Sequence, residues 1–160
     1  MLKEHAAVFR RVMIFCDLCI VALSFFLGYF LRHKIQDMYP LSAYIGLLPI
    51  LLFIWGSLLY SFGMYRSFRI RQIYEVLFIV LKATLFGFII FATYLYIVKL
   101  QNISRAFIIF VFTFSALLIT FEKAALLLFF RYIRKKGLNY KRILIIGTGK
   151  RAQHFIDLVN

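Results

Sequence analysis

The sequence predicts an all-α membrane protein, a four-helix transmembrane bundle, followed by the first strand-turn-helix of a truncated Rossmann-like α/β domain. Three observations carry this prediction. Hydrophobic residues make up 64% of the 160 positions and aromatics 19%, with a mean hydropathy of +0.89, whereas ordinary globular domains are about 45–50% apolar. Apolar stretches of about twenty residues, enough to cross a hydrocarbon core of roughly 30 Å, recur four times. After the fourth, the pattern changes to a short β-branched run, a glycine-rich turn and an amphipathic stretch.

The first span runs from about Val12 to Leu31 (VMIFCDLCIVALSFFLGYFL). Lys3, Arg10 and Arg11 precede it, as in a signal peptide. The run is, however, longer than the usual signal h-region, and Arg32, His33 and Lys34 follow where small residues would mark a cleavage site. It is therefore read as a retained membrane helix. The second span, about Tyr44 to Gly63, contains Pro49, which predicts a kink. The third runs from about Val76 to Val98 and the fourth from about Phe107 to Phe130. Lipid offers no hydrogen bonds to a bare backbone, so each span must be helical. Residues 1–136 then form a transmembrane domain and residues 137–160 the start of an incomplete Rossmann-like one.

Positive charge orients the bundle. Fourteen of the 20 Lys and Arg lie in residues 1–11, 64–75 and 131–160, which share one side. Only Arg32, Lys34, Lys99 and Arg105 lie in the two connections on the other side. The positive-inside rule puts both termini in the cytosol. The net charge of +14 follows from this bias and from contact with anionic headgroups of the lipid bilayer. Nucleic acid is excluded as a partner, because no soluble basic face with interleaved aromatics exists. Tyr39, Tyr44, Tyr94 and Tyr96 are expected near the outer interface, where amphipathic rings favour headgroup depth.

Ionisable residues inside a membrane are costly unless paired or wet. Asp17, Lys82, Glu122 and Lys123 all fall roughly 8–12 Å from the cytosolic surface at 1.5 Å per residue. Their formal charges cancel, which predicts a structural charge cluster where the helices meet. A polar vestibule for a lipid phosphate or a proton path, and snorkelling without pairing, are the alternatives. Cys16 and Cys19 form a C-x-x-C with no second pair to complete a zinc site, and are read as small apolar fillers. His5, His33 and His154 are scattered, so no metal and no cofactor is expected in the bundle.

Gly137 can end the fourth helix. Arg142 to Ile146 (RILII) then reads as a strand buried on both faces, and Lys150 to Val159 as a helix with Ala152, Phe155, Ile156 and Val159 on one side. Between them Gly147-Thr148-Gly149-Lys150-Arg151-Ala152 is a G-x-G-x-x-A. Gly147 permits the tight turn, Gly149 lets a phosphate approach the backbone, and Ala152 lets the helix pack on the strand. Gly147, Thr148 and Gly149 are thus the candidate nucleotide-binding residues, with the anion at the helix N-terminus. The acidic residue that would hold a ribose about twenty positions later falls beyond Asn160. One strand and one helix cannot bury a core, so the chain is expected to be the front part of a larger enzyme.

The four spans, FGMYRSFR (Phe62 to Arg69), NISRAF (Asn102 to Phe107) and NYKRILIIGTGKRA (Asn139 to Ala152) together resemble a known family. It is the N-terminal membrane region of bacterial polyprenyl-phosphate hexose-1-phosphate transferases, the undecaprenyl-phosphate sugar phosphotransferases of exopolysaccharide biosynthesis. The resemblance implies an inner-membrane enzyme that moves a sugar phosphate from a nucleotide-diphosphate sugar to undecaprenyl phosphate, initiating exopolysaccharide, capsule or O-antigen synthesis. It also implies that catalysis, with an Asp-Glu pair and magnesium, belongs to a C-terminal domain outside this sequence. No catalytic residue carries over, and the chain alone is expected to be inactive. Membrane-bound nucleotide-sugar epimerases or dehydratases of polysaccharide biosynthesis, which use NAD(P), have a similar architecture. A non-catalytic membrane anchor module is the third alternative, and the sequence leaves homo-oligomerisation open.

Overall fold

A computed structural model of the chain describes residues 2–35, 39–65, 72–99 and 103–135. Among them all regular structure is helical: α1 (Leu2–Ile35), α2 (Leu41–Ile45), α3 (Leu48–Ser61), α4 (Ile73–Ile97) and α5 (Arg105–Lys135). Four segments are long and apolar enough to cross a membrane: Val8–Ile35, Leu41–Ser61, Ile73–Ile97 and Arg105–Ile133. The expected strand Arg142 to Ile146, the glycine turn and the helix from Lys150 to Val159 lie outside the described residues. The chain divides into two compact units, Met1–Phe129 and Phe130–Asn160. The bundle is the first unit; in the second, the described residues 130–135 are the final turns of α5.

The second span is two helices where the sequence predicts one kinked helix. Pro49 has no N–H to offer the carbonyl four residues back, so α2 stops at Ile45 and a turn through Gly46 and Leu47 follows. Leu47 N–H donates to the Tyr44 carbonyl at 2.9 Å, tightening the break. Pro49 then sits in the first turn of α3, where a missing N–H costs nothing. At the other end of α3 the chain closes on Gly63, whose φ of 72° is left-handed. Gly63 N–H reaches the Tyr60 carbonyl and Met64 N–H the Leu59 carbonyl, both at 3.0 Å, the paired bonds of a Schellman turn. Glu75 in the first turn of α4 and Arg32, His33 and Lys34 in the last turn of α1 complement the helix dipoles.

Each long helix buries one narrow stripe and presents apolar residues on its remaining faces. On α1 the stripe is Met13, Asp17, Val21, Phe25 and Tyr29; on α4 it is Val76, Val80, Ala83, Gly87 and Phe91. These are helical spacings of three and four. Phe15, Phe53, Phe86 and Phe121 point outward, as suits helices whose surroundings are lipid. The Ser24 and Thr84 hydroxyls fold back onto their own helices, Ser24 to the Ile20 carbonyl and Thr84 to the Val80 carbonyl, each 2.8 Å.

The helices run up, down, up and down. Asp17 meets Lys123 and Arg32 meets Ser104, so α1 and α5 are antiparallel along their lengths. Small residues allow the close approach that membrane helices need in place of a hydrophobic driving force. A Cβ on Gly28 would lie 2.8 Å from Val111 Cγ2 and 3.2 Å from the Val111 backbone nitrogen. A Cβ on Gly87 would lie 3.1 Å from Phe112 and 3.4 Å from Leu58. Phe112 fills the centre, stacked on Trp55 and in ring contact with Phe88 and Phe91. The near end of the bundle holds the beginnings of α1 and α4; the far end holds the beginnings of α3 and α5.

At the far end Tyr29, Tyr44, Phe25 and Phe107 form an edge-to-face chain with centroids 4.9–5.5 Å apart. Tyr44 is therefore a core residue, not the interfacial anchor the sequence suggests, because the short α2 turns it inward onto Tyr29 and Phe107. Tyr39 and Tyr96 are exposed.

Candidate functional site

The near end contains a buried ionic group. Lys123, on the inward stripe of α5, places its Nζ 2.6 Å from Asp17 Oδ1 and 2.9 Å from Glu122 Oε2. Lys123 is 0% exposed and Asp17 1%, while Glu122 is 22% exposed and marks the edge of the group. Asp17 reaches Lys123 because residues 13, 17 and 21 share the α1 stripe that faces α5. Glu122, one position from Lys123, lies about 100° around the helix, so its side chain must come in from the flank.

Tyr65 completes the group. Its hydroxyl donates to Asp17 Oδ2 at 2.7 Å, and the Lys123 ammonium lies 5.9 Å from the centre of its ring. The Schellman turn at Gly63 sets this up, since it reverses the chain after α3 and brings Met64 and Tyr65 into the interior. Burial, then the Asp17 carboxylate, push the Tyr65 hydroxyl far above its ordinary range. It therefore stays protonated and available as a donor. Asp17 is thus held on both oxygens, one by a cation and one by a neutral hydroxyl.

Lys82 does not join. It is exposed on α4, and its ammonium lies 4.3 Å from the centre of the Phe78 ring, one turn earlier on the same helix. The inward stripe of α4 passes through Val80 and Ala83, and position 82 is a helical step of about 100° away from it. Depth places Lys82 at the right level, and helical phase places it on the wrong face. Because side chains lean toward the helix N-terminus, Lys82 extends toward the near-end headgroups along Phe78, the behaviour of a snorkelling lysine.

Tyr65 is the member that sequence reasoning misses. It lies within FGMYRSFR, and as a phenol it carries no formal charge to balance. Counted along the chain, Tyr65 falls two residues beyond the predicted second span, so its depth gives no sign of the group; only the reversal at Gly63 carries it inward.

The group can clamp three parts of the chain together: α1 through Asp17, α5 through Glu122 and Lys123, and the segment after α3 through Tyr65. It does not suit a divalent cation, because both carboxylates already share the Lys123 ammonium. Among the described residues no group of three or more His, Cys, Asp and Glu could hold a metal ion. Cys16 is half-buried and Cys19 exposed on α1. The candidate nucleotide-binding residues Gly147, Thr148 and Gly149 lie outside the described residues.

Comparison with known proteins adds one match. No curated protein and no solved structure matches the chain. A family model described as a CoA-binding domain matches residues 60–159, from the end of α3 through α4 and α5 and on past Gly147, Thr148 and Gly149. The matched region contains Tyr65, Glu122 and Lys123 and begins after Asp17. This domain is found in proteins of the polyprenyl glycosylphosphotransferase type. Covering 100 of 160 residues, the match shows that the chain belongs to the CoA-binding-domain family.

Proposed function

We propose that the chain is the N-terminal membrane-anchoring part of an enzyme that transfers a sugar phosphate from a nucleotide-diphosphate sugar to undecaprenyl phosphate. The supporting observation is one continuous family match that spans the last two membrane helices and the G-x-G-x-x-A sequence at Gly147 to Ala152. That continuity favours a bundle that presents a nucleotide-type module at the membrane over an isolated anchor. In this reading the bundle lies in a bacterial inner membrane with both termini cytosolic, as the positive-inside bias requires. Gly147, Thr148 and Gly149 would accept a phosphate of a bound nucleotide or cofactor. The transfer breaks the bond joining the two phosphates of the sugar nucleotide and forms a new diphosphate on the lipid, releasing a nucleoside monophosphate. The chemistry and its magnesium ion belong to a catalytic domain that would follow this sequence.

The test is to express the complete coding frame containing this sequence and supply its membranes with labelled UDP-glucose or UDP-galactose and undecaprenyl phosphate. Label entering the lipid extract, with release of UMP, is the expected result. Conversion of the nucleotide sugar that depends on NAD(P), without lipid labelling, would instead identify the epimerase or dehydratase alternative. Neither activity, with a product ending at Asn160, would leave a membrane anchor module.

A further inference from the structure

At the far end a cleft of about 1080 Å³ opens between the end of α4 and the beginning of α5. That exceeds the roughly 300–1,000 Å³ of ordinary small-molecule clefts. Its walls are apolar, with Phe88 and Ala92 on α4 and Ile108 and Ile109 on α5, and its lining includes two cations, Lys99 and Arg105. Both cations are exposed, and neither makes an ion pair among the described residues. They sit at the ends of membrane-crossing segments, the depth at which lipid phosphates lie. A third cation, Arg32, is held at the same end by donating from Nε to Ser104 Oγ at 3.2 Å.

The backbone at Lys99 gives a second reason to regard the cleft as built for a ligand. Lys99 has φ 56°, the only left-handed non-glycine residue among the described residues, and closes α4 with its N–H on the Tyr96 carbonyl at 3.2 Å. Glycine is the residue that takes this position cheaply, as Gly63 does at the end of α3. A lysine held there at conformational cost delivers a cation to the cleft, and such strain collects at ligand clamps.

The geometry points to a binding site for one anionic phospholipid of the bilayer, its phosphate between Lys99 and Arg105 and an acyl chain along Phe88, Ala92, Ile108 and Ile109. Charge complementarity selects an anionic headgroup over a zwitterionic one, and the apolar walls require a lipid in place of a free anion. This site stands at the opposite end from the buried ionic group and is independent of the proposed enzymatic role.

The test uses the full chain purified in mild detergent, with native mass spectrometry titrated with phosphatidylglycerol, phosphatidylcholine and inorganic phosphate. A saturable adduct of one phosphatidylglycerol per chain is expected, with neither of the other probes competing. Lys99→Gln/Arg105→Gln should weaken that adduct on the order of tenfold or more, since each lost contact removes a severalfold electrostatic contribution. Arg10→Gln/Arg11→Gln, at the near end, should leave it unchanged. If the double variant at Lys99 and Arg105 does not fold, Ala92→Trp provides the independent check, because it fills the cleft and keeps both cations. Equal binding of phosphatidylcholine, displacement by inorganic phosphate, or an unaltered adduct in either cleft variant would overturn the assignment.

Discussion

The two ends of the bundle handle charge in opposite ways. At the near end Asp17, Glu122, Lys123 and Tyr65 satisfy one another, and Lys123 and Asp17 are sealed from solvent. At the far end Lys99 and Arg105 stand open on an apolar cleft. The helix ends repeat the contrast. Gly63 makes its left-handed turn at little cost and thereby delivers Tyr65 inward, whereas Lys99 makes the same turn at some cost and presents a cation outward. The near end has the composition of a lock between helices, and the far end that of a receptor for something in the membrane. A buried ion pair is not automatically stabilising, since its desolvation penalty can cancel the attraction. What it does enforce is that neither partner can be lost alone.

The sharpest way to break the comparison is therefore at Asp17. Asp17→Leu removes the closer of the two carboxylates on the sealed Lys123 ammonium and should cost about 3–5 kcal/mol, read as lost folded yield in membranes and a lower unfolding midpoint in detergent. Adding Lys123→Met to that variant should restore part of the loss, because the fully buried cation is gone and only Glu122, at the edge of the group, loses its ion pair. A double variant as unstable as the single would mean that the group is more than a lock. Next in size, Tyr65→Phe removes one hydrogen bond to a charged acceptor and should cost about 1.5–3 kcal/mol in the same unfolding measurement. A negligible change would remove Tyr65 from the group.

The two left-handed positions give smaller effects of opposite sign. Gly63→Ala should destabilise by about 1 kcal/mol, whereas Lys99→Gly should stabilise by about as much while weakening phosphatidylglycerol binding. Loss of stability in both would show that Lys99 has a structural role instead. Smallest of all, Lys82→Met should leave the folded yield unchanged, because its ring contact lies on an exposed helix face and contributes at most about 1 kcal/mol. A large loss there would mean that Lys82 meets a partner, such as a second copy of the chain.

The sequence by itself determined the four membrane spans, since twenty apolar residues in a row have no other stable arrangement in lipid. It determined the common depth of Asp17, Glu122 and Lys123 from rise per residue alone, and it located the break in the second span through Pro49, although it predicted a kink where the chain makes a turn. The glycine fingerprint at Gly147, Thr148 and Gly149 is a reading of the sequence alone, because those residues lie outside the described ones. Depth is additive along a helix and can be counted; facing depends on how helices pack, and cannot. For that reason only the tertiary structure excluded Lys82 from the group, admitted Tyr65 to it and turned Tyr44 into the core. Lys99 and Arg105 flank one short connection, so the sequence already places them at the same end; the apolar cleft that they line between α4 and α5 was visible only in the packing.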